Sequence, residues 1–209
     1  MTEKKKRKGA GRRGEPSLSR ARVAQAAVAL LDEQGVGGLT MRRLAKRLDS
    51  GVMSVYWHVD NKDEVFDLAL DYVLDYQRPE VVDDDWRAQV VHLLEDWRAM
   101  MLRHPWSATL LPQRALGENI LKRLDLLGEL LSGAGVADDD LNAAIWTIWN
   151  YVMGATVTLA SFTSGAEGRV ERPPIQGHHP TIERTGLLRD GDWDGVFRRG
   201  VNFMLDGFV

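Results

Sequence analysis

Three ring-bearing residues in a row, Tyr56-Trp57-His58, lie in the stretch SGVMSVYWHVDNK (50–62), just after a cluster of Arg42, Arg43, Lys46 and Arg47. A phenol can donate to a phosphate, an aromatic face can lie on a sugar or a thymine methyl, and a guanidinium can read guanine. Consecutive helical residues point roughly 100° apart, so these three rings cannot share one interior. Other candidates for chemistry are weaker. His178 and His179 are adjacent, a spacing that rarely converges on one ion, and their loop holds no carboxylate at ligand spacing. His92 and His104 stand about three helical turns apart, too far to share a metal on one helix. No nucleophile motif, phosphate loop or dinucleotide fingerprint occurs. Cysteine is absent, which excludes disulfides and thiolate ligands. The expectation is a protein that recognises nucleic acid, with no enzyme activity, no metal and no cofactor.

The elements that carry these residues belong to a chain of 209 residues, 44% hydrophobic and 27% charged, which is enough to bury a real core. The N-terminal charges are not followed by an apolar leader segment, and no apolar run approaches membrane length. A soluble, cytoplasmic protein with no membrane partner is expected. The formal charge of −3 conceals an asymmetry: residues 1–62 hold 14 Lys and Arg against 6 Asp and Glu, the remainder 13 against 24. A basic segment facing a polyanion and an acidic body facing elsewhere would have this distribution.

Residues 1–17 are Lys, Arg and Gly with hardly an apolar side chain, a composition that predicts a disordered basic tail. Ser19 is then a helix N-cap, Leu18 and Val23 have staple spacing, and Val23, Ala27, Leu30 and Leu31 form one stripe closed by Gly35 near Gln34. Thr40 caps a second helix with Met41, Leu44, Ala45 and Leu48 inward. Arg42 and Arg43 sit in its first turn, where cations oppose the macrodipole unless an anion or a base edge partners them. The turn Asp49-Ser50-Gly51 leads into a third helix with Val52 and Val55 as its inward face. Asn61 and Glu64 have capping-box spacing and start a fourth helix at about Lys62, whose N-terminus suits one more phosphate. Two short helices joined by a tight turn make a helix-turn-helix, whose second helix enters the major groove.

LTMRRLAKRL (39–48) followed by YWHVDNKDEVFDLAL (56–70) resembles the DNA-binding domain of the tetracycline-repressor (TetR) family of bacterial transcriptional regulators. The resemblance covers roughly residues 19–76, and the YWHV–NK segment is its specific part. It implies that Arg42 reads a base, that Thr40, Ser54, Tyr56, His58 and Lys62 hold phosphates, and that Val52 and Met53 touch base edges. Arg43 and Trp57 complete the candidate DNA-contacting set. The turn departs from the family pattern, with Asp49 and Ser50 where Gly and an apolar residue are common.

The remainder reads as helical throughout. Val90, Leu93, Leu94, Trp97 and Met101 mark a helix over 86–103, preceded by capping aspartates at 83–85 and broken by His-Pro-Trp at 104–106. A short piece covers 107–116, and a helix runs from about Ile120 to Gly133. Asp138–Asp140 then cap a long helix reaching about Phe162. That helix has two apolar stripes, one through Ile145, Ile148 and Val152, the other through Trp146, Trp149 and Met153. Two stripes mean two buried faces: its own core and, most simply, a second copy of the chain. Residues 163–180 read as a loop, and the last helix spans about 194–207. The family resemblance implies a four-helix homodimer interface built from the helices near 139–162 and 194–207.

Six of the seven tryptophans lie beyond residue 80. Aromatic and Met-rich linings with a few polar groups suit an adaptable site for an apolar small molecule, although the same residues also make ordinary cores. Trp97, Met101, His104, Gln113, Trp146, Asn150 and Met153 are the candidate ligand contacts. The expected architecture is all-α. It comprises the tail 1–17, a helix-turn-helix domain 18–62, a connecting helix 63–80, and a ligand-binding and dimerisation domain 81–209. The expected function is a sequence-specific DNA-binding regulator, a repressor released from a palindromic operator by a small apolar or amphipathic effector. The alternative is an all-α carrier or interaction module without specific DNA binding.

Overall fold

The computed structural model describes residues 18–77, 85–163, 177–185 and 192–208, with the side chains of 161–163 excepted. Among them every regular element is helical: α1 Arg20–Gly38, α2 Met41–Arg47, α3 Val52–Tyr56, α4 Lys62–Val73, α5 Trp86–Arg103, α6 Pro105–Leu110, α7 Glu118–Gly133, α8 Asp138–Thr163, α9 Pro180–Thr185 and α10 Trp193–Phe208, with a 3-10 turn at Leu111–Gln113. The expected basic tail at 1–17 lies outside the described residues, as do positions 164–176 of the expected loop.

Local capping starts the first helices where expected. Ser19 Oγ accepts from the Arg22 amide at 3.3 Å, and Thr40 Oγ1 from the Arg43 amide at 3.2 Å. Asn61 Oδ1 accepts from the Glu64 amide at 2.9 Å, but the returning bond from Glu64 goes to the Asp60 amide at 2.6 Å rather than to the cap itself. Three expectations need adjustment. Gly35 takes a left-handed φ of 66°, yet the chain resumes a helical turn to Gly38 instead of ending at Gln34. Pro105 opens α6 directly after His104, because its fixed φ suits a first helical position. Asp138–Asp140 lie inside the first turn of α8, where their charges favour the positive end of the dipole. The amides of Asp140 and Leu141 bond the Ala137 carbonyl, so the helix starts from Ala137.

A single apolar core runs from Val23 to Leu205. Helix α1 packs along α4, with α2 and α3 set against them; α5 is the centre of the second part, touching α7, α8 and α10. Helices α4 and α6 bridge the two parts. Among the described residues no helix is long and apolar enough to cross a membrane.

Candidate nucleic-acid interface and effector domain

The turn after α2 is a Schellman closure. The Ser50 amide bonds the Ala45 carbonyl at 3.0 Å and the Asp49 amide bonds Lys46 at 3.2 Å, with Asp49 left-handed at φ 49°. Glycine usually takes this position; an aspartate tolerates it at a cost. Asp49→Gly should therefore leave the turn intact and raise stability by up to about 1 kcal/mol, read from the urea midpoint. A lowered midpoint would show that the Asp49 side chain contributes to the turn.

Helix α3 follows with Gly51 at its N-cap, so no side chain satisfies its first amides. Val55 and Val59 are buried and fasten it to the core, while Val52 is half-buried. The other side chains face out: Met53 is 72% and Trp57 85% exposed, with Ser54 and Tyr56 also exposed and His58 half-buried. An 85% exposed tryptophan costs solubility and buys no packing in the free chain, which is why its position matters.

Arg42 is exposed and makes no hydrogen bond or ion pair with the described residues. Its neighbour is different: Arg43 Nη1 donates to the Gly38 carbonyl at 2.8 Å, closing the end of α1. Arg47 is paired bidentately with Glu33, whose carboxyl the Arg47 hydrogen bond holds below its usual range. Lys62 lies 5.1 Å over the Phe66 ring at the start of α4. Thr40, Arg42, Met53, Ser54, Tyr56 and Trp57 are thus exposed on α2 and α3, whereas Arg43 already has a structural bond.

Behind this unit, Asp63, Asp67 and Asp71 recur every fourth residue on one face of α4, with Asp75 at the same spacing just past its end, a pattern the sequence holds but does not explain. Arg114, just past the 3-10 turn, grips the first two, with Nε to Asp67 Oδ1 at 2.7 Å and Nη1 to Asp63 Oδ1 at 2.9 Å. These bonds push the Arg114 pKa up, the one to Asp67 most. Asn119 binds Asp71 through its amide at 2.8 Å. Arg123, buried on α7, donates from Nε to the Leu74 carbonyl at 2.7 Å and pairs with Asp96 of α5 at 2.9 Å. A second tie joins α1 to α6: His104 Nδ1 and Trp106 Nε1 both reach Asp32 Oδ1, at 2.8 and 2.7 Å. Beside it a cleft of about 380 Å³ is lined by Leu31, Asp32, Val36, Pro105, Trp106 and others.

The seven candidate ligand contacts are not gathered in one place. Trp97 is 1% exposed, with its ring edge-on to Trp149 at 5.1 Å, and Met101 and Met153 are buried on the same two helices. Trp97 Nε1 is a buried donor with no partner among the described residues. Trp146 touches Trp149 at 5.8 Å but is 52% exposed, and Asn150 is exposed on the same side of α8. Gln113 is exposed and bonds the Thr109 carbonyl, and His104 serves the α1–α6 tie.

The family model "Bacterial regulatory proteins, tetR family" matches residues 23–69, and "Tetracyclin repressor-like, C-terminal domain" matches 78–209. The chain belongs to the tetracycline-repressor family. It is a DNA-binding transcriptional regulator with the all-α, helix-turn-helix architecture of that family. It is 35% identical to an "HTH-type transcriptional regulator" of Saccharopolyspora erythraea over 206 residues, covering 94% of this chain and 87% of the relative. It is 37% identical to the "HTH-type transcriptional repressor DrrR1" of Streptomyces coeruleorubidus, covering 92% and 77%. Among solved structures it is similar to Streptomyces coelicolor ActR in complex with actinorhodin, at a TM-score of 0.74 and 27% identity over 92% of this chain and 97% of that one. This family resemblance was legible in YWHV–NK and needed no structure.

Proposed function

We propose that the chain is a homodimeric repressor that reads a palindromic operator with α2 and α3 and is released by a small, largely apolar effector held in residues 81–209. The observation that carries the DNA-reading part is the surface where an unpaired Arg42 stands on the helix preceding exposed Met53, Tyr56 and Trp57. Guanidinium and apolar side chains at a helix-turn-helix are suited to guanine and thymine edges. ActR, a relative of similar fold, is known in complex with actinorhodin, which supports a small organic effector here. The Trp97–Trp149 pair, with Met101 and Met153 on the same helices, is the best-supported place for it. On this proposal the molecule works in the cytoplasm with its DNA, residues 1–17 are a basic tail, 18–62 the DNA-binding domain, and 63–80 the connector, which is helical in α4 to Val73 rather than over its whole length.

Dimerisation would use the outward faces of α8 and α10. Trp146, Asn150, Gly154 and Val157 make one exposed stripe, and Val196 and Phe203 another. Coupling between effector and DNA would run through the clamps on α4 from Arg114, Asn119 and Arg123, and through the Asp32 tie to α6.

The test is selection of duplexes from a random pool by the purified protein, followed by titration of the selected site. Arg42→Ala should lose about 10- to 100-fold in affinity for that site and relax its preference at one base pair per half-site. An unchanged preference would remove Arg42 from the reading surface, and failure to enrich any sequence would favour the carrier alternative.

A further inference from the structure

Arg20, in the first turn of α1, is a basic residue beside the reading surface, and a basic residue there is ordinarily taken for a phosphate contact. Its guanidinium is already engaged. Nη1 donates to the His58 carbonyl at 2.7 Å, and Nη2 pairs with Glu64 Oε1 at 2.6 Å. The other Glu64 oxygen accepts the Asp60 amide at 2.6 Å. One residue of α1 and one of α4 thereby hold both ends of the segment His58–Asp60, which joins the recognition helix to α4.

The placement is specific. Helix α3 has only five residues and no side-chain cap, so its own hydrogen bonds define its direction weakly. Its exit is a turn, with the His58 amide on the Val55 carbonyl at 2.9 Å. Besides the buried Val55 and Val59 and the turn bonds from the His58 and Val59 amides to the Val55 carbonyl, the side-chain ties on this exit among the described residues are those that Arg20 and Glu64 supply. The Asp60 amide, more than Arg20, holds the Glu64 carboxyl below its usual range, so the acid is charged and able to serve both partners at neutral pH.

We infer that Arg20 is a positioning residue for operator recognition, acting through the His58 carbonyl and Glu64 to fix the angle at which α3 presents Tyr56, Trp57 and His58. The inference rests on the DNA-reading function proposed above. Lysine is a poor substitute for Arg20, since a single nitrogen on a flexible stem does not match two separate guanidinium nitrogens held in a rigid fork, one on the carbonyl and one on the carboxylate.

The two roles separate in a salt titration. A phosphate contact contributes close to one unit to the slope of log affinity against log salt, and its removal lowers the slope by about one. A positioning residue does not neutralise a phosphate. With a duplex selected by the wild type, Arg20→Ala should weaken binding about 5- to 30-fold with the salt slope unchanged. Glu64→Ala should weaken it similarly, and the double variant should be little worse than either single one, because both remove the same tie. Arg20→Lys should recover less than half of the loss on a logarithmic scale. In the free protein, Arg20→Ala and Glu64→Ala should both speed hydrogen exchange at the Asp60 amide, a readout that needs no DNA. A slope lowered by about one, additive losses, or unchanged affinity would each overturn the inference while leaving the regulator reading intact. A wild type that selects no sequence would instead overturn that reading, and the inference with it.

Discussion

Arg123→Ala should cost about 3–5 kcal/mol of folding stability, the range for breaking a buried ion pair by removing one member. The arginine is 2% exposed, and three neighbours depend on it: the Leu74 carbonyl that ends α4, Asp96 of α5, and the Tyr76 ring 4.8 Å from its guanidinium carbon. Truncation leaves the carbonyl without its donor and Asp96 without its counter-charge. Asp96 is 35% exposed, so water recovers part of the loss and the lower end of the range is expected. For a chain of this size, 3 kcal/mol is roughly 6–12 °C in melting temperature. Burial pushes the Arg123 pKa down and Asp96 opposes it, so the cation is held against desolvation by its pairing. Replacing both members with apolar residues, Arg123→Met with Asp96→Leu, should therefore recover much of the loss. A loss under 1 kcal/mol for Arg123→Ala in urea would mean that water already reaches the pair and that α4 is not held there.

What was legible in the sequence was whatever is encoded locally. Ser19, Thr40 and Asn61 mark helix starts because a capping side chain bonds an amide two or three residues on, within the reach of a short reading window. The outward display of Tyr56 and Trp57 follows from three adjacent rings and a helix of 3.6 residues per turn. Partners forty or more residues away leave no such mark. The aspartates at 63, 67 and 71 of α4 are evenly spaced and visible, yet nothing near them names Arg114 or Asn119 as what they bind. His104 shows the same limit: a lone histidine beside a Pro-Trp pair reads as a ligand contact, and nothing near it in sequence reveals that its ring also bonds Asp32 in the first helix. Helix α8 shows the limit of periodicity. Its two apolar stripes indicate two covered faces, and only packing reveals that Trp149 and Met153 turn to this chain's own core while Trp146 and Asn150 turn away. Arg42 and Arg43 look alike in sequence as first-turn cations, whereas the carbonyl that Arg43 reaches belongs to the preceding helix.

Phe203→Asp should convert the proposed dimer into a monomer, seen as a fall in sedimenting mass to the 23.5 kDa of one chain. Phe203 is 74% exposed on α10, one heptad from Val196, and α8 presents Trp146 and Val157 outward at a spacing of three helical turns. Burying such a ring against a second copy contributes about 1.5–3 kcal/mol per side by area alone, and a carboxylate in its place adds a desolvation cost. Because the interface is isologous, each substitution acts twice. The consequence for DNA is larger than for the fold. Two reading heads joined rigidly gain about 10²- to 10⁴-fold over one, since the second contact is intramolecular. Operator affinity should fall by that factor while affinity for a single half-site stays as it was. Val196→Asp should act in the same direction. Loss of operator binding with the dimer mass unchanged would place the interface elsewhere, and a dimer that persists through both substitutions would remove α10 from it.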